Sequence, residues 1–170
     1  MTNVSPSENK GLADKVLRAC HDVCQERGIR FFVHQGSALG LYRDGTWIED
    51  NDVDIAVIGS QEDYQSVWNA LRVLPGWSDT SGLRKGPIQL DLQRVPPDPP
   101  YTPPGWKPNP FTCEEFDVIE YEGMSLLVPS PIEDYLQWEY TEIWRTPIAR
   151  EIWWFVVDWM QRRIDGRHYD

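Results

Sequence analysis

The stretch HQGSALGLYRDGTWIEDNDVDIAVI, residues 34–58, decides the fold of this chain. An apolar strand at residues 29–33 runs into a Gly-Ser turn, and a short helix and a loop precede a second strand at residues 52–58. Alternate side chains of a strand lie on the same face. Asp52 and Asp54 are therefore predicted to point to one side, about 6–7 Å apart along the chain.

Two carboxylates on one face repel each other unless a cation lies between them, and Mg²⁺ prefers carboxylate, water and phosphate oxygens. The Gly36-Ser37 turn at a helix start offers backbone N–H groups to a phosphate. A third acid, Asp91, stands between Leu90 and Leu92 in a later strand, IQLDLQRV, so it lies on the same face as Gln89 and Gln93. An isolated Asp-x-Asp is more often a solvated loop pair, but this order predicts a carboxylate triad of Asp52, Asp54 and Asp91 at a metal-bound phosphoanhydride.

The layout resembles the nucleotidyltransferase superfamily, in which a Gly-Ser turn precedes Asp-x-Asp and a distant Asp on another strand. More narrowly, it resembles the LicD/fukutin branch in two segments within roughly residues 12–147. The first segment comprises Gly36, Ser37, Leu39, Gly40, Arg43, Gly45, Ile48, Asp52 and Asp54. The second comprises Val128-Pro129-Ser130-Pro131, Tyr135-Leu136, Tyr140, Trp144 and Pro147. The chain departs from the branch at residues 49–51, which follow Ile48 in place of Pro and an aromatic residue, and at Thr141, where the branch has Gly.

The resemblance implies an α/β (α+β) fold, a nucleotidyltransferase-like mixed β-sheet flanked by helices. It also implies a Mg²⁺- or Mn²⁺-dependent transferase whose metal is held by the acid triad, with Asp91 as an alternative proton acceptor. Relatives transfer a phospho-alcohol, such as phosphocholine or ribitol phosphate, from a cytidine nucleotide to a glycan, or transfer the nucleotidyl group itself to a hydroxyl. The expected donor is a CDP-alcohol or a nucleoside triphosphate. The alternative is a non-catalytic nucleotide-binding or scaffold module of the same fold.

Three basic residues are candidates for binding the donor phosphates beside Gly36 and Ser37. Arg43 is expected to pair with phosphate in a fork, or else to form a salt bridge with an acid in residues 49–50. Arg84 and Lys85 precede the Asp91 strand, where they either close over the anion or form an ordinary solvated turn.

Composition limits the class of protein and its partners. The 170 residues carry a formal net charge of −11, which argues against a nucleic-acid backbone or an anionic membrane as the partner. One domain is expected at residues 11–170 after a disordered lead at residues 1–10, with no secretory signal and no apolar run long enough to span a membrane. Three cysteines give no disulfide framework, which is typical of the cytoplasm. Cys20 and Cys24 are read as small buried hydrophobes or, alternatively, as a metal or redox site.

The remaining elements follow from periodicity and turn chemistry. Helices are predicted at residues 12–27, after a Ser60 cap, after a capping box at residues 130–133, and from residue 147 to about residue 164. A hairpin is predicted at residues 115–128, turning near Glu122-Gly123. The proline-rich segment 96–110 is a wall over the site or an inert crossover. The last helix is apolar on too many sides for one stripe, so it is wedged into the core or forms a homodimer contact.

Overall fold

The computed structural model describes residues 6–47, 51–80, 82–96 and 115–148. The elements follow in chain order: α1 (Pro6–Arg27), β1 (Arg30–Val33), α2 (Gln35–Arg43), β2 (Asp52–Ile58), α3 (Gln61–Arg72), β3 (Trp77–Ser78), β4 (Arg84–Lys85), β5 (Ile88–Val95), β6 (Phe116–Tyr121), β7 (Met124–Pro129), α4 (Ile132–Tyr140) and a 3-10 helix (Thr141–Arg145).

In this part of the chain, five strands form one mixed sheet in the order β1-β2-β5-β4-β3, and β6 and β7 form a separate hairpin. β2 is antiparallel to β1 and parallel to β5, because α3 and the short β3–β4 pair carry the chain over between β2 and β5. The predicted mixed sheet with flanking helices is confirmed.

The two faces of the sheet differ because β2 alternates apolar and acidic side chains in its first half. Val53, Ile55 and Val57 are fully buried on the face against which α1 and α3 lie. Asp52 and Asp54 point to the opposite face, which we call the acid face. One face of the sheet therefore belongs to the hydrophobic core, whereas the acid face carries the polar groups of β2.

Two helix starts differ from the sequence prediction. α1 begins at Pro6 rather than near residue 12, so residues 6–10, assigned to a disordered lead, are helical. The capping box predicted at Ser130 is wrong, because α4 takes its cap from β6: Asp117 Oδ2 accepts the Ile132 N–H at 2.8 Å, and Asp117 Oδ1 accepts the Ser130 hydroxyl at 3.0 Å. A carboxylate from another strand thus replaces the local cap. The Ser60 cap of α3 is confirmed, with Asp63 completing a capping box.

A polar cluster ties the loop before β2 to α1 and to the hairpin. Asp14 accepts hydrogen bonds from Trp47 Nε1 and from the Tyr121 hydroxyl, both at 2.7 Å. Lys10 Nζ lies 3.1 Å from Asp14 Oδ2 and donates to the Tyr121 hydroxyl at 3.1 Å. Three segments that are distant in sequence therefore meet at one carboxylate.

Cys20 and Cys24 are buried and form no disulfide, as small core residues do. Burial raises the pKa of the Cys24 thiol to about 12, so the thiol stays protonated.

None of the described helices is long and apolar enough to cross a membrane. The predictions for residues 97–110, for residues 48–50, for Cys113 and for the last helix beyond residue 148 fall outside the described residues, and residues 147 and 148, where that helix is predicted to begin, are not helical.

Candidate functional site

The sheet register brings Asp54 and Asp91 side by side. Asp54 of β2 is the direct partner of Asp91 of β5, and in a parallel pair the partners' side chains lie on the same face. Neighbouring strands are about 4.8 Å apart, so the two carboxylates share one region of the acid face. Asp52 occupies the same face two residues earlier, opposite Gln89.

Asp54 is joined directly to the Gly-Ser turn. Its Oδ2 accepts the Ser37 backbone N–H at 3.0 Å and the Ser37 hydroxyl at 3.2 Å, while the Asp54 N–H donates to Ser37 Oγ at 2.8 Å. Ser37 is the third residue of α2, so Asp54 caps a helix N-terminus from a neighbouring strand. Both residues are buried, which makes this bond pattern part of the core as well as of the site.

Burial and like charge both act on Asp54. Desolvation, followed by the charge of Asp52, raises the pKa of the Asp54 carboxyl to about 7, although hydrogen bonds from Ser37 oppose this and Asp91 adds to it. The predicted crowding of acids on one face is therefore present at Asp54. An opposite charge bound there would stabilise the ionised form.

We expect Ser37→Ala to lower the free energy of unfolding by about 1–3 kcal/mol, because it leaves the buried Asp54 N–H without an acceptor. Urea denaturation of the metal-free protein measures this effect. Ser125→Ala is the matched control, since the Ser125 hydroxyl bonds Glu120 in an exposed pair and its loss should cost under about 0.5 kcal/mol. Equal losses in the two variants would show that the Ser37–Asp54 bonds contribute nothing special.

The first turn of α2 also receives a partner from the end of the described chain. The Gln35 N–H donates to the Tyr135 hydroxyl at 2.8 Å, and Gln35 has a φ of 46°, a strained value for a residue other than glycine. Tyr135 is buried. Two of the first three N–H groups of α2 thus have side-chain acceptors, one from Tyr135 and one from Asp54.

A second row of polar residues crosses the acid face beside the first. Asp52 pairs with Gln89, and Gln89 pairs with Arg84 of the antiparallel strand β4, whose guanidinium bonds the Gln89 side chain. Arg84 therefore lies on the acid face, and its buried Nε has no hydrogen-bond partner within the described chain.

Lys85 points away from the acid face. Its Nζ bonds the Pro75 carbonyl at 2.9 Å and lies 5.8 Å from the centre of the Trp77 ring.

Arg43 is held at the end of α2 by structural contacts. Its guanidinium forms a fork with Asp44, at 2.8 Å and 2.7 Å, and donates to the Trp144 carbonyl at 3.0 Å. The alternative partners at residues 49–50 lie outside the described residues, and the ion pair that the structure shows for Arg43 is with Asp44. A phosphate contact of Arg43 stays a prediction.

His34 is a site residue that the sequence reasoning missed. It follows β1 directly, its backbone N–H donates to the Asp54 carbonyl at 3.3 Å, and its side chain is 94% buried. Burial lowers the pKa of the imidazole to about 4, against the opposing effects of Asp91 and a backbone hydrogen bond with Ile55. The signal was present in the sequence, since a polar residue shares the strand face of Phe32 just before the Gly-Ser turn. Tyr135 gave no such signal, because only the tertiary fold brings it to α2.

The carboxylate oxygens of this site suit a hard cation that is also bound by oxygens of the substrate. No group of three or more His, Cys, Asp or Glu side chains within the described residues is arranged to hold a metal ion by itself. Mg²⁺ in nucleotide sites, however, usually has one or two carboxylate ligands and completes its shell with water and phosphate oxygens. Asp54, with its pKa raised by burial and by nearby acids, fits that requirement with Asp52 or Asp91 as a second ligand.

No family model matches the chain, and no curated protein matches it. Solved structures do. The chain resembles the solution structure of the antibiotic-resistance factor ANT(2'')-Ia with a TM-score of 0.56 and 11% identity, over 92% of this chain and 95% of that one. It resembles the crystal structure of ANT(2'')-Ia in complex with adenylyl-2''-tobramycin with a TM-score of 0.51 and 14% identity, over 90% and 84%. The chain therefore has a nucleotidyltransferase-like fold.

Proposed function

We propose that this protein is a metal-dependent transferase that moves a nucleotidyl group from a nucleoside triphosphate to a hydroxyl acceptor. One observation carries the proposal: Asp54 and Asp91 are direct partners on the acid face, at the point where Asp54 caps the Gly-Ser helix. The nucleotide-modified aminoglycoside bound to a structural neighbour supports a nucleotide donor and a hydroxyl acceptor.

In the proposed reaction, the acceptor oxygen forms a bond to the α-phosphorus while the bond from that phosphorus to pyrophosphate breaks. The hydroxyl proton passes to the Asp91 carboxylate, the more accessible member of the Asp54–Asp91 pair. Arg84 and the Gly36 N–H, which lies between the two capped N–H groups of α2, bind the negative phosphates. A divalent cation held by Asp52 and Asp54, with Asp91 as an alternative ligand, would supply neutralisation of phosphate charge.

Transfer of a phospho-alcohol from a CDP-alcohol is a second candidate function. It is supported by the meeting of the two segments that resemble the LicD/fukutin branch: the Tyr135 hydroxyl bonds the Gln35 N–H, and the Trp144 carbonyl bonds Arg43. In this case the acceptor attacks the phosphorus that bears the alcohol, and CMP leaves.

Incubation of the purified protein with Mg²⁺ or Mn²⁺, a hydroxyl-acceptor panel and either nucleoside triphosphates or CDP-alcohols tests both candidates. Nucleotidyl transfer releases pyrophosphate and adds a nucleotide mass to the acceptor, whereas phospho-alcohol transfer releases CMP. We expect the first result. Metal-dependent nucleotide binding by calorimetry without product from any pair would contradict both and would support the non-catalytic module.

A further inference from the structure

We propose that the His34 imidazole binds the acceptor substrate, and that its Nε2 accepts a hydrogen bond from a hydroxyl or amino group adjacent to the reacting hydroxyl. This inference rests on the proposed function and concerns the acceptor rather than the donor. It gives the substrate class as a vicinal diol or amino alcohol.

The placement of His34 follows from the sheet register. Val33 pairs with Ile55, so His34 lies opposite Asp54, and the bond from its N–H to the Asp54 carbonyl extends the pairing by one residue. Directly opposed residues share a face. His34, Asp54 and Asp91 consequently form one row across three strands of the acid face.

Within this row of three side chains, the Nε2 atom of His34 has no hydrogen-bond partner. It is one of four buried side-chain nitrogen or oxygen atoms with no hydrogen-bond partner in the described chain, and Arg84 Nε, another of the four, lies on the same face. Buried polar atoms in native proteins nearly always have partners, so an unpaired one needs an explanation. Two on the face that carries the acids are explained if each receives a group of the substrate.

The missing partner must be a hydrogen-bond donor. A neutral imidazole has one N–H and one bare nitrogen. The Ile55 backbone favours the charged ring, as a carbonyl that accepts from a ring N–H does, and because Nε2 has no partner we assign that N–H to Nδ1 and the bare lone pair to Nε2. Ionised carboxylates in the same row also accept only. Because the single proton of the reacting hydroxyl goes to Asp91, the donor to Nε2 is a second group on the acceptor, which selects diols and amino alcohols over lone alcohols.

Two alcohols that differ by one hydroxyl test the inference: propane-1,2-diol and propan-1-ol, with the donor and metal that the transfer assay identifies. For the wild type we expect kcat/KM to be about ten-fold higher for the diol, since one hydrogen bond to a buried group is at stake. His34→Leu should reduce this ratio to near one and leave the KM of the donor unchanged. His34→Gln, whose amide oxygen can accept the same bond, should keep most of the preference.

A second measurement does not depend on turnover. The ¹⁵N signal of His34 Nε2 should shift when propane-1,2-diol is added to the Mg²⁺-containing protein without donor, and should shift much less with propan-1-ol. His21→Gln is the control for both measurements, because His21 bonds its neighbour Asp22 on α1, away from the acid face.

Three results would overturn the inference. The first is a diol preference that is unchanged in His34→Leu, and the second is an equal change in the KM of donor and acceptor in that variant. The third is the absence of a diol-specific shift of the ¹⁵N signal of His34 Nε2. If no donor supports transfer at all, the proposed function fails, and the ¹⁵N shift alone decides whether His34 binds the diol.

Discussion

Replacement of Asp54 by asparagine is expected to reduce transfer by at least about 10²–10³-fold, because preorganised charge at a transferring phosphoryl group contributes on that scale. Asparagine can still accept the Ser37 N–H, so the cap of α2 survives and the variant should fold. The variant loses the carboxylate charge that attracts the cation. With weaker cation binding, the charge of the phosphates is no longer neutralised.

Initial rates with the best donor, measured for wild type and variant at equal Mn²⁺, give the size of the effect, and calorimetric titration with Mn²⁺ should show weakened metal binding. Asp79→Asn removes one exposed acid whose ion pair with Arg72 spans 3.6 Å, and it should leave the rate unchanged. A rate for Asp54→Asn within a few-fold of wild type would refute the metal-centred mechanism. Ser37 would then have to be considered as a nucleophile.

The second large effect concerns pH, because His34 and Asp54 have pKa values that are shifted in opposite directions. The folded-state pKa of Asp54, about 7, lies above its ordinary value of 3.8, so its contribution to stability is present at low pH and is lost as the pH rises through 7. The folded-state pKa of His34, about 4, lies below its ordinary value of 6.5. Its contribution to stability is therefore present above pH 6.5 and is lost as the pH falls from about 6.5 to about 4. Between about pH 4 and 6.5 the two slopes cancel.

In the metal-free protein we therefore expect these two groups to give a nearly flat free energy of unfolding across this window. Asp54→Asn should make stability rise with pH, and His34→Gln should make it fall, each by on the order of 3 kcal/mol over the window. The other pKa shifts resolved among the described residues act below pH 4 or above pH 9. Urea denaturation of the three proteins in half-unit pH steps measures the slopes, and parallel curves would show that the two groups are not shifted as described.

The fold was predictable where one short segment carries its own signal. β2 begins and ends where the alternation of Asp52, Asp54 and their apolar neighbours places it, and the hairpin turns at Glu122-Gly123 as expected. α4 was not fully predictable, because its cap comes from Asp117 on β6, and no local pattern announces a partner on another strand.

The site shows the same division. The placement of Asp91 on the face of Asp54 followed from alternation within β5, and the register then determined that the two are neighbours. Alternation also could have identified His34, whereas the contact between Tyr135 and α2 depends on tertiary packing. The opposite directions of Arg84 and Lys85 depend on the pairing of a strand of only two residues.

The cap that Tyr135 provides to α2 has a consequence for the order of events during synthesis. Its hydroxyl and the Gln35 N–H that it accepts are separated by 100 positions along the chain. At translation rates of about 5–20 residues per second, the strained start of α2 waits on the order of 5–20 s for this partner to be made. The sheet-forming segments up to β5 leave the ribosome before then. The nascent chain can thus assemble its sheet early, but it completes the Gly-Ser turn only after α4 has emerged.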